Sequence, residues 1–115
     1  MVVDVVDDER ADLLFHALAD ATRRDIVLRA MTGEHSVSAL ARAYPISLPA
    51  VQKHVDVLER AGLVSKRRHG REKLVQTDID HLRAASRVLD RLEAVWRERI
   101  HNIDAILADP TQGAP

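Results

Sequence analysis

The sequence predicts a mostly helical α+β domain with one small β-hairpin. Apolar residues recur every three or four positions over most of the chain, which is the spacing of one helix face. The stretch from Leu63 to Thr77 tends to alternate instead, as a strand does. The chain has 115 residues, 46% of them apolar and 30% charged, which suits one globular domain. We therefore expect a single domain over residues 1–115, with its core in 9–108 and flexible ends.

The first two helices are predicted from a cap and two apolar stripes. A helix from Glu9 to Ala19 carries its apolar residues on one face, namely Ala11, Leu14, Phe15 and Leu18. Asp20 is a good N-cap for a second helix, because its carboxylate can accept a hydrogen bond from the first turn. Gly33 ends this helix. Its stripe consists of Ile26, Val27, Ala30 and Met31.

The next two helices are separated by a proline. A third helix is capped by Ser36 or Ser38 and stops before Pro45, because the residue ahead of a proline avoids the α region. Ser47 caps a fourth helix that tolerates a proline in its first turn, and Gly62 ends it. The fourth helix has an apolar stripe at Val51, Val55, Leu58 and Ala61.

A hairpin and a long helix complete the chain. The strands are predicted at Leu63–Arg68 and Lys73–Thr77, on either side of the turn HGRE. Asp78 or Asp80 caps a last helix that runs to about Ala108. Its apolar residues repeat in heptads along two tracks, which are Leu82, Leu89, Trp96, Ile103 and Ala85, Leu92, Ile106. This is more apolar surface than a small core can cover, so we expect a partner chain.

Composition excludes several classes of function. The absence of cysteine removes disulfides, thiolate metal sites and cysteine nucleophiles. The acidic start MVVDVVDDER does not resemble a secretory leader, and no run approaches the 18 or so apolar residues that a membrane helix needs. We therefore expect a cytoplasmic protein with no membrane partner. No acid–base constellation or phosphate-binding loop is recognisable, so an enzyme is not expected and no cofactor is predicted.

Charge is concentrated in one part of the chain. The net charge is −1 overall, but residues 42–73 carry eight Lys and Arg against three Asp and Glu. Residues 1–20 carry six acidic residues and one Arg, and we expect them to lie away from nucleic acid. A focused basic face is typical of nucleic-acid binding. On charge alone, a merely solvated surface remains an alternative.

The order of short helix, tight turn and Ser47-capped helix is that of a helix-turn-helix, whose second helix enters the DNA major groove. With the apolar stripe inward, the outward residues are Leu48, Pro49, Gln52, Lys53 and Asp56. Gln52 can pair with adenine, and Lys53 can reach a guanine edge or a phosphate. Ser47 offers donors to a phosphate, while Leu48 and Pro49 can contact a thymine methyl group. An ordinary solvated helix face is the alternative interpretation of Gln52 and Lys53.

The hairpin that follows is interpreted as a wing along the minor groove or the DNA backbone. Its basic residues surround Gly70 and are Lys66, Arg67, Arg68, His69, Arg71 and Lys73. Arg67 and Arg68 are adjacent, so we expect at most one of the two to face DNA. The other is expected to bind a neighbouring carboxylate.

The chain resembles the ArsR/SmtB (arsenic-repressor) family of winged helix-turn-helix regulators. The segments ALADATRRDIVLRAM and SLPAVQKHVDVLERAGLVSKRRHGREK and the last helix carry the resemblance, over roughly Glu9 to Ala108. It implies a dimeric bacterial repressor whose first and last helices pair the subunits. It also implies an inducer that weakens the binding of the repressor to DNA. The family has a Lys-His pair where His54 stands, and we interpret His54 as a packing and phosphate-contacting residue.

The chain departs from the family at its metal sites. Founding members carry two cysteines in the box ELCVCDL, whereas Ser36 and Ser38 stand in the matching stretch EHSVSAL. Serine is a poor ligand for soft metals, so sensing through this box is not expected. Other members bind zinc, nickel or cobalt on the last helix, where the weak candidates are His81, His101 and Asp104. Asp78 and Asp80 lie near the first of these. Surface histidines and helix caps are the preferred interpretation, and no metal is predicted.

These observations predict a dimeric repressor that binds double-stranded DNA at an inverted-repeat operator, with recognition helices about 34 Å apart. The predicted DNA-binding residues are Ser47, Leu48, Pro49, Gln52, Lys53, His54, Lys66, Arg67, Arg68 and Arg71. The predicted dimer-interface residues are Leu14, Leu89, Leu92, Trp96 and Ile103. Two alternatives stay open. One is a derepressor that responds to a metal or an unknown small-molecule inducer, and the other is a protein-interaction module.

Overall fold

The computed structural model describes residues 5–108, with side chains from residue 9 onward. The predicted flexible ends therefore lie mostly outside the described residues. Within them the chain forms five helices and three strands, and it divides into two compact units, one ending at Ala85 and the other beginning at Ser86. We call the first the winged unit and the second, residues 86–108, the C-terminal unit. The elements are α1 (Val5–Leu18), α2 (Ala21–Met31), β1 (His35–Ser36), α3 (Val37–Arg42), α4 (Leu48–Arg60), β2 (Val64–His69), β3 (Glu72–Thr77) and α5 (Ile79–Ala108).

The predicted helix caps of the first half are confirmed. Asp20 accepts a hydrogen bond from the backbone N–H of Arg23 at 3.1 Å and begins α2. Of the two candidate serines for α3, it is Ser36 whose hydroxyl oxygen accepts from Ala39 N at 3.0 Å. Helix α1 begins at Val5, four residues before the predicted start, because no glycine or proline interrupts the chain there. Helix α2 ends at Met31, just short of the predicted stop at Gly33.

The recognition helix of the predicted motif is α4. Ser47 caps it by accepting a hydrogen bond from Ala50 N at 3.3 Å, and Pro49 lies in its first turn. It ends before Gly62, which has φ +79°. A Cβ atom at Gly62 would lie 2.5 Å from Cδ2 of His81, so a side chain here would need both a strained backbone and a shift of the His81 ring. Recognition helix and wing therefore meet at a corner that requires glycine.

The sheet has one more strand than the sequence predicted. Strands β2 and β3 form the predicted hairpin, with Gly70 at φ +64° in its turn. The short strand β1 pairs antiparallel with β3 through His35 opposite Val75, giving the order β1-β3-β2. A strand of two residues has no periodicity of its own, which is why the sequence did not reveal it. The extra pairing connects the wing to the segment between α2 and α3.

An aliphatic core holds the winged unit together. The stripe predicted for α4 is confirmed, since all four of its residues are buried. Met31 was predicted in the stripe of α2, but it is 44% exposed because it lies at the last turn of that helix. The buried apolar residues are Leu14, Ala17, Ile26, Val27, Ala30, Leu40, Val51, Val55, Leu58, Ala61, Leu63, Val64, Val75 and Ala85.

The C-terminal unit is helical throughout its described length. Its large apolar side chains are exposed in the single chain, and these are Leu89, Leu92, Val95, Trp96, Ile100, Ile103, Ile106 and Leu107. A soluble helix rarely leaves so many apolar groups in water without a partner. No helix within residues 5–108 combines the length and apolar character that a membrane crossing needs.

Candidate nucleic-acid interface

The outward face of α4 is free of internal bonds at the positions predicted to contact DNA. Leu48, Pro49, Gln52 and Lys53 are all exposed, and Leu48 is 41% exposed despite being apolar. No hydrogen bond or ion pair engages the side chains of Gln52 and Lys53 among the described residues. We call these four residues the reading face. Their side chains can turn toward a base edge or a phosphate without disturbing the core.

A network that the sequence did not reveal positions the turn before α4. The Tyr44 hydroxyl donates to Oδ2 of Asp25, and Nε of Arg29 donates to the same oxygen at 2.7 Å. The Arg29 guanidinium also lies 5.6 Å from the centroid of the Tyr44 ring. Burial, aided by the bond to Asp25, raises the pKa of Tyr44 to about 12. The hydrogen bonds from Tyr44 and Arg29 lower the pKa of Asp25. The turn is thereby tied to α2.

Asp56 is the one acidic residue predicted on the outward face, and its charge is neutralised within the protein. Nζ of Lys66 lies 2.8 Å from Oδ1 of Asp56 and 3.3 Å from Oε1 of Glu59. These contacts, chiefly the hydrogen bond to Asp56, raise the pKa of Lys66. Lys66 was predicted to contact DNA. That contact stays a prediction, and in the single chain its ammonium group bridges two carboxylates of α4.

Arg67 binds a carboxylate, as expected for one member of the Arg67–Arg68 pair. Its Nη2 donates to both carboxylate oxygens of Glu34, at 2.8 and 2.6 Å. Glu34 also accepts a hydrogen bond from Nε2 of Gln76 at 2.5 Å. The sequence separation is 33 residues for the first contact, so the partner could not be identified from the sequence. Arg67 is therefore engaged at the base of the wing, which removes it from the group of free cations.

The remaining wing cations are exposed and form no ion pair within residues 9–108. We call Arg68, Arg71 and Lys73 the wing tip, and Lys66 and Arg67 the wing base. Arg68 lies directly opposite Lys73 in the β2–β3 register. Like charges in directly opposed positions destabilise a sheet, so an anion placed between them would be favourable. The wing tip thus has the features of a phosphate contact.

A cleft of about 400 Å³ separates the recognition helix from the wing. Gln52 and Asp56 line it from α4, and Arg71 and Lys73 line it from the wing. One residue of the reading face and two of the wing tip therefore border the same depression. Among the other predicted DNA contacts, His54 is half-buried, with Nδ1 3.3 Å from Nη1 of Arg23.

The candidate metal ligands do not converge in the described part of the chain. His81 lies beside Asp78, with Nδ1 3.0 Å from Oδ2, and its ring covers Gly62. His101 and Asp104 are exposed on the C-terminal unit. No group of three or more metal-binding side chains occurs in residues 9–108. The Ser36 hydroxyl accepts a bond within its own helix, which gives it a structural role.

The predicted interface residues fall into two groups. Leu89, Leu92, Trp96 and Ile103 are exposed on the C-terminal unit, with Trp96 at 58%. Leu14 is 1% exposed, because it faces the core of its own chain, so its prediction as an interface residue is wrong. The neighbouring Leu13 is 44% exposed, so between residues 9 and 18 it is the large apolar residue that α1 presents to solvent. Helical spacing placed Leu14 on an apolar face, but it could not tell which partner covers that face.

Comparison with known proteins agrees with this geometry. A family described as a helix-turn-helix domain matches residues 18–67. The HTH-type transcriptional regulator Rv2034 of Mycobacterium tuberculosis is 45% identical over 80 residues, which are 70% of this chain and 75% of that protein. The HTH-type transcriptional repressor SmtB of the same species is 37% identical over 92 residues, 80% of this chain and 67% of that protein.

Solved structures show the same architecture. An ArsR-like transcriptional regulator from Rhodococcus sp. RHA1 superposes with a TM-score of 0.75 and 31% identity, covering 89% of this chain and 95% of that one. The winged helix-turn-helix domain of Mb0332 from Mycobacterium bovis, described as homodimeric in solution, has a TM-score of 0.65 and 23% identity, covering 81% and 91%. By this relationship and by its fold, the chain belongs to the ArsR/SmtB family of winged helix-turn-helix transcriptional regulators.

Proposed function

We propose that the chain is a dimeric repressor that occupies an inverted-repeat operator and so blocks a promoter. The observation that carries this proposal is that Gln52 of the reading face and Arg71 and Lys73 of the wing tip line one cleft of the winged unit. A helix that reads base edges and a basic hairpin that binds the backbone are the two parts of sequence-specific recognition. Because the partner is promoter DNA, we place the protein in the cytoplasm.

Each part of the interface has its own task. Gln52 reads an adenine through its amide, and Leu48 and Pro49 lie against thymine methyl groups. Lys53 and the wing tip bind phosphates, which sets the affinity for any sequence. The oxygen of Ser47 accepts the bond that caps α4, and its hydroxyl proton remains available to a phosphate.

The second copy is held by the exposed apolar side chains of the C-terminal unit. Leu89, Leu92, Trp96 and Ile103 follow the heptad spacing of a helix-pairing seam. The homodimer described for the Mycobacterium bovis domain supports this arrangement. In such a dimer the two recognition helices lie about one DNA turn apart, which requires an inverted-repeat operator.

Two further parts of the proposal concern chemistry. The relatives are described as a transcriptional regulator and a transcriptional repressor, and we propose that this chain likewise has no catalytic activity. We also propose that it regulates without a bound metal. Serine in place of the family's cysteines, together with the dispersed histidines of the described residues, supports that view.

The test is fluorescence anisotropy of the purified protein on the DNA upstream of its own gene, with random DNA of equal length beside it. Measurements at two salt concentrations, with EDTA and with zinc, separate the alternatives. We expect tight and selective binding that weakens steeply with salt and ignores metal. Equal and weak binding to both DNAs would refute the proposal and favour a protein partner. Release of DNA by zinc, abolished in His101→Ala, would favour a metal-responsive derepressor.

Two substitutions test the division of tasks on α4. Lys53→Ala should weaken binding to all sequences and reduce the salt slope by about one for each lost phosphate contact. Gln52→Ala should lose about 1–3 kcal/mol at one base position and leave random DNA unaffected. Arg83→Ala is the control, an exposed arginine at the start of α5. Identical effects of Gln52→Ala on cognate and random DNA would contradict its assignment as a base reader.

Replacement of Trp96 tests the dimer. Because Trp96 is exposed in the single chain, Trp96→Arg should leave the fold intact by circular dichroism while converting dimer to monomer in sedimentation. Operator affinity should fall with it. Arg97→Gln, which breaks only an exposed ion pair with Glu93, is the matched control. A Trp96→Arg protein that still sediments as a dimer would exclude the proposed seam.

A further inference from the structure

Arg23 connects three helices of the winged unit through one guanidinium group. Nε donates to the Ala17 carbonyl at 2.7 Å, and Nη2 donates to the His16 carbonyl at 2.9 Å. Both carbonyls belong to the last turn of α1, where the helix dipole favours a cation; the His16 carbonyl also accepts a hydrogen bond from Ala19 N at 3.2 Å. Nη1 lies 3.3 Å from Nδ1 of His54 on α4. Arg23 itself lies in the first turn of α2.

The chemistry of this contact determines which role Nδ1 of His54 has in the hydrogen bond. A guanidinium group has donors and no acceptor, so Nδ1 of His54 must be the acceptor. The bond therefore requires that Nδ1 itself carries no proton. The carboxylate of Asp20 lies close to both groups and accepts a hydrogen bond from Arg23 N at 3.1 Å.

We propose that Arg23 and His54 form a joint through which the end of α1 sets the angle of the recognition helix, and that His54 is a positioning residue and not a phosphate contact. The inference rests on the proposed function, because it concerns how DNA is read. The Arg23 guanidinium is held at fixed points by α1, and His54 lies next to Lys53 and two positions after Gln52 on α4. The joint therefore acts directly after the last residue of the reading face.

The two possible roles of His54, phosphate contact and joint, predict different changes in DNA binding when the residue is replaced. A phosphate contact contributes to affinity for every sequence, and its removal changes the dependence on salt. A joint contributes orientation, which matters for base edges because hydrogen bonds to bases require correct distance and angle. Disturbing the joint should therefore reduce selectivity for the operator and leave random binding and the salt slope nearly unchanged.

The experiment compares His54→Asn with His54→Leu on operator and random DNA. Asparagine offers an oxygen near the place of Nδ1, whereas leucine offers no acceptor. We expect His54→Leu to lose about tenfold in operator affinity, since a bond to a charged group is broken. His54→Asn should recover most of that loss. Arg23→Lys retains the charge but lacks the planar fork, and it should resemble His54→Leu.

A double substitution gives a further readout. If the two residues act as one unit, Arg23→Lys with His54→Leu should be no worse than either alone.

The outcomes are distinguishable from failure of the proposed function. If the native protein does not prefer any operator, the function itself is wrong. If it does, and His54→Leu and His54→Asn both weaken all DNAs equally with a smaller salt slope, His54 is a phosphate contact and the joint is refuted. Full operator affinity in His54→Leu would refute it as well. Circular dichroism melting of each variant verifies that the fold persists.

Discussion

The base and the tip of the wing contain the same residue types but differ in what surrounds them. At the base, Lys66 lies 2.8 Å from the carboxylate of Asp56 on α4. Arg67 lies 2.6 Å from the carboxylate of Glu34, the residue before β1. Arg68, Arg71 and Lys73 at the tip have no such partner among residues 9–108. The difference shows that a run of basic residues is not a uniform DNA-binding surface. Part of the run holds the wing to the body, and the rest remains for an external anion.

The largest effect on DNA binding is expected at the tip. Arg68→Gln with Lys73→Gln should reduce affinity at least about tenfold at moderate salt, because two phosphate contacts are lost in each protomer. The salt slope of a dimer should become shallower by about four. Thermal stability should be unchanged or slightly raised, since two opposed cations are removed. Anisotropy at several salt concentrations, together with a melting curve, decides whether the cations of the wing tip are available to phosphate.

A smaller effect, on both folding stability and DNA affinity, is expected for Lys66→Met. Removal of the ammonium leaves Asp56 and Glu59 uncompensated on α4, so stability should fall by about 1 kcal/mol. DNA affinity should also fall, because Asp56 then repels phosphate. The salt slope should change less than it does when a phosphate contact is lost at the wing tip. Urea denaturation and anisotropy measure the two quantities. A salt slope as shallow as that of the tip variants would show that Lys66 binds DNA directly.

Arg67→Gln should have little effect on DNA at all. Its ion pair with Glu34 is half exposed, and such pairs contribute about 0–1 kcal/mol to folding. Glu34→Gln keeps an acceptor for Arg67 and removes the charge, so it serves as the matched variant. The comparison between base and tip would lose its foundation if Arg67→Gln weakened DNA binding as much as Arg68→Gln did.

The smallest expected effect concerns the turn before α4, where charges are paired as at the wing base. Tyr44 is the single tyrosine of the chain, so its absorbance titration is unambiguous. Its pKa in the folded protein is raised to about 12, above the ordinary value of about 10. The stabilisation is therefore complete below pH 10 or so and is lost as pH rises through about 12. Asp25→Asn should bring the titration midpoint down while leaving the wing unaffected.

Local chemistry made much of the fold predictable. Ser36, Ser47 and Asp20 were recognised because a cap is a relation between residues two or three apart. Gly62 was recognised as a helix end, although its contact with His81 was not visible in the sequence. The alternation in the hairpin was sufficient to find both of its strands within one residue of their ends.

Relations between distant segments were the part that the sequence could not supply. Strand β1 exists because His35 pairs with Val75, forty residues later along the chain. The ion pairs of Lys66 could not be foreseen because its carboxylate partners lie on another element. Leu14 was placed at an interface because periodicity identifies an apolar face and not the segment that covers it. For the candidate site, the reading face was predictable, whereas the pairing state of the wing was not.

The side chains of the reading face make no hydrogen bond or ion pair within residues 9–108. This has a consequence for how such regulators diversify. Leu48, Pro49, Gln52 and Lys53 carry no part of the core, and the cap of α4 is supplied by the residue before them. Under the proposed function, substitutions at these four positions would retarget the protein to another operator while the scaffold remains intact. Paralogues that control different promoters can arise in this way by few mutations, and a laboratory library confined to these codons would sample new operators at little risk to folding.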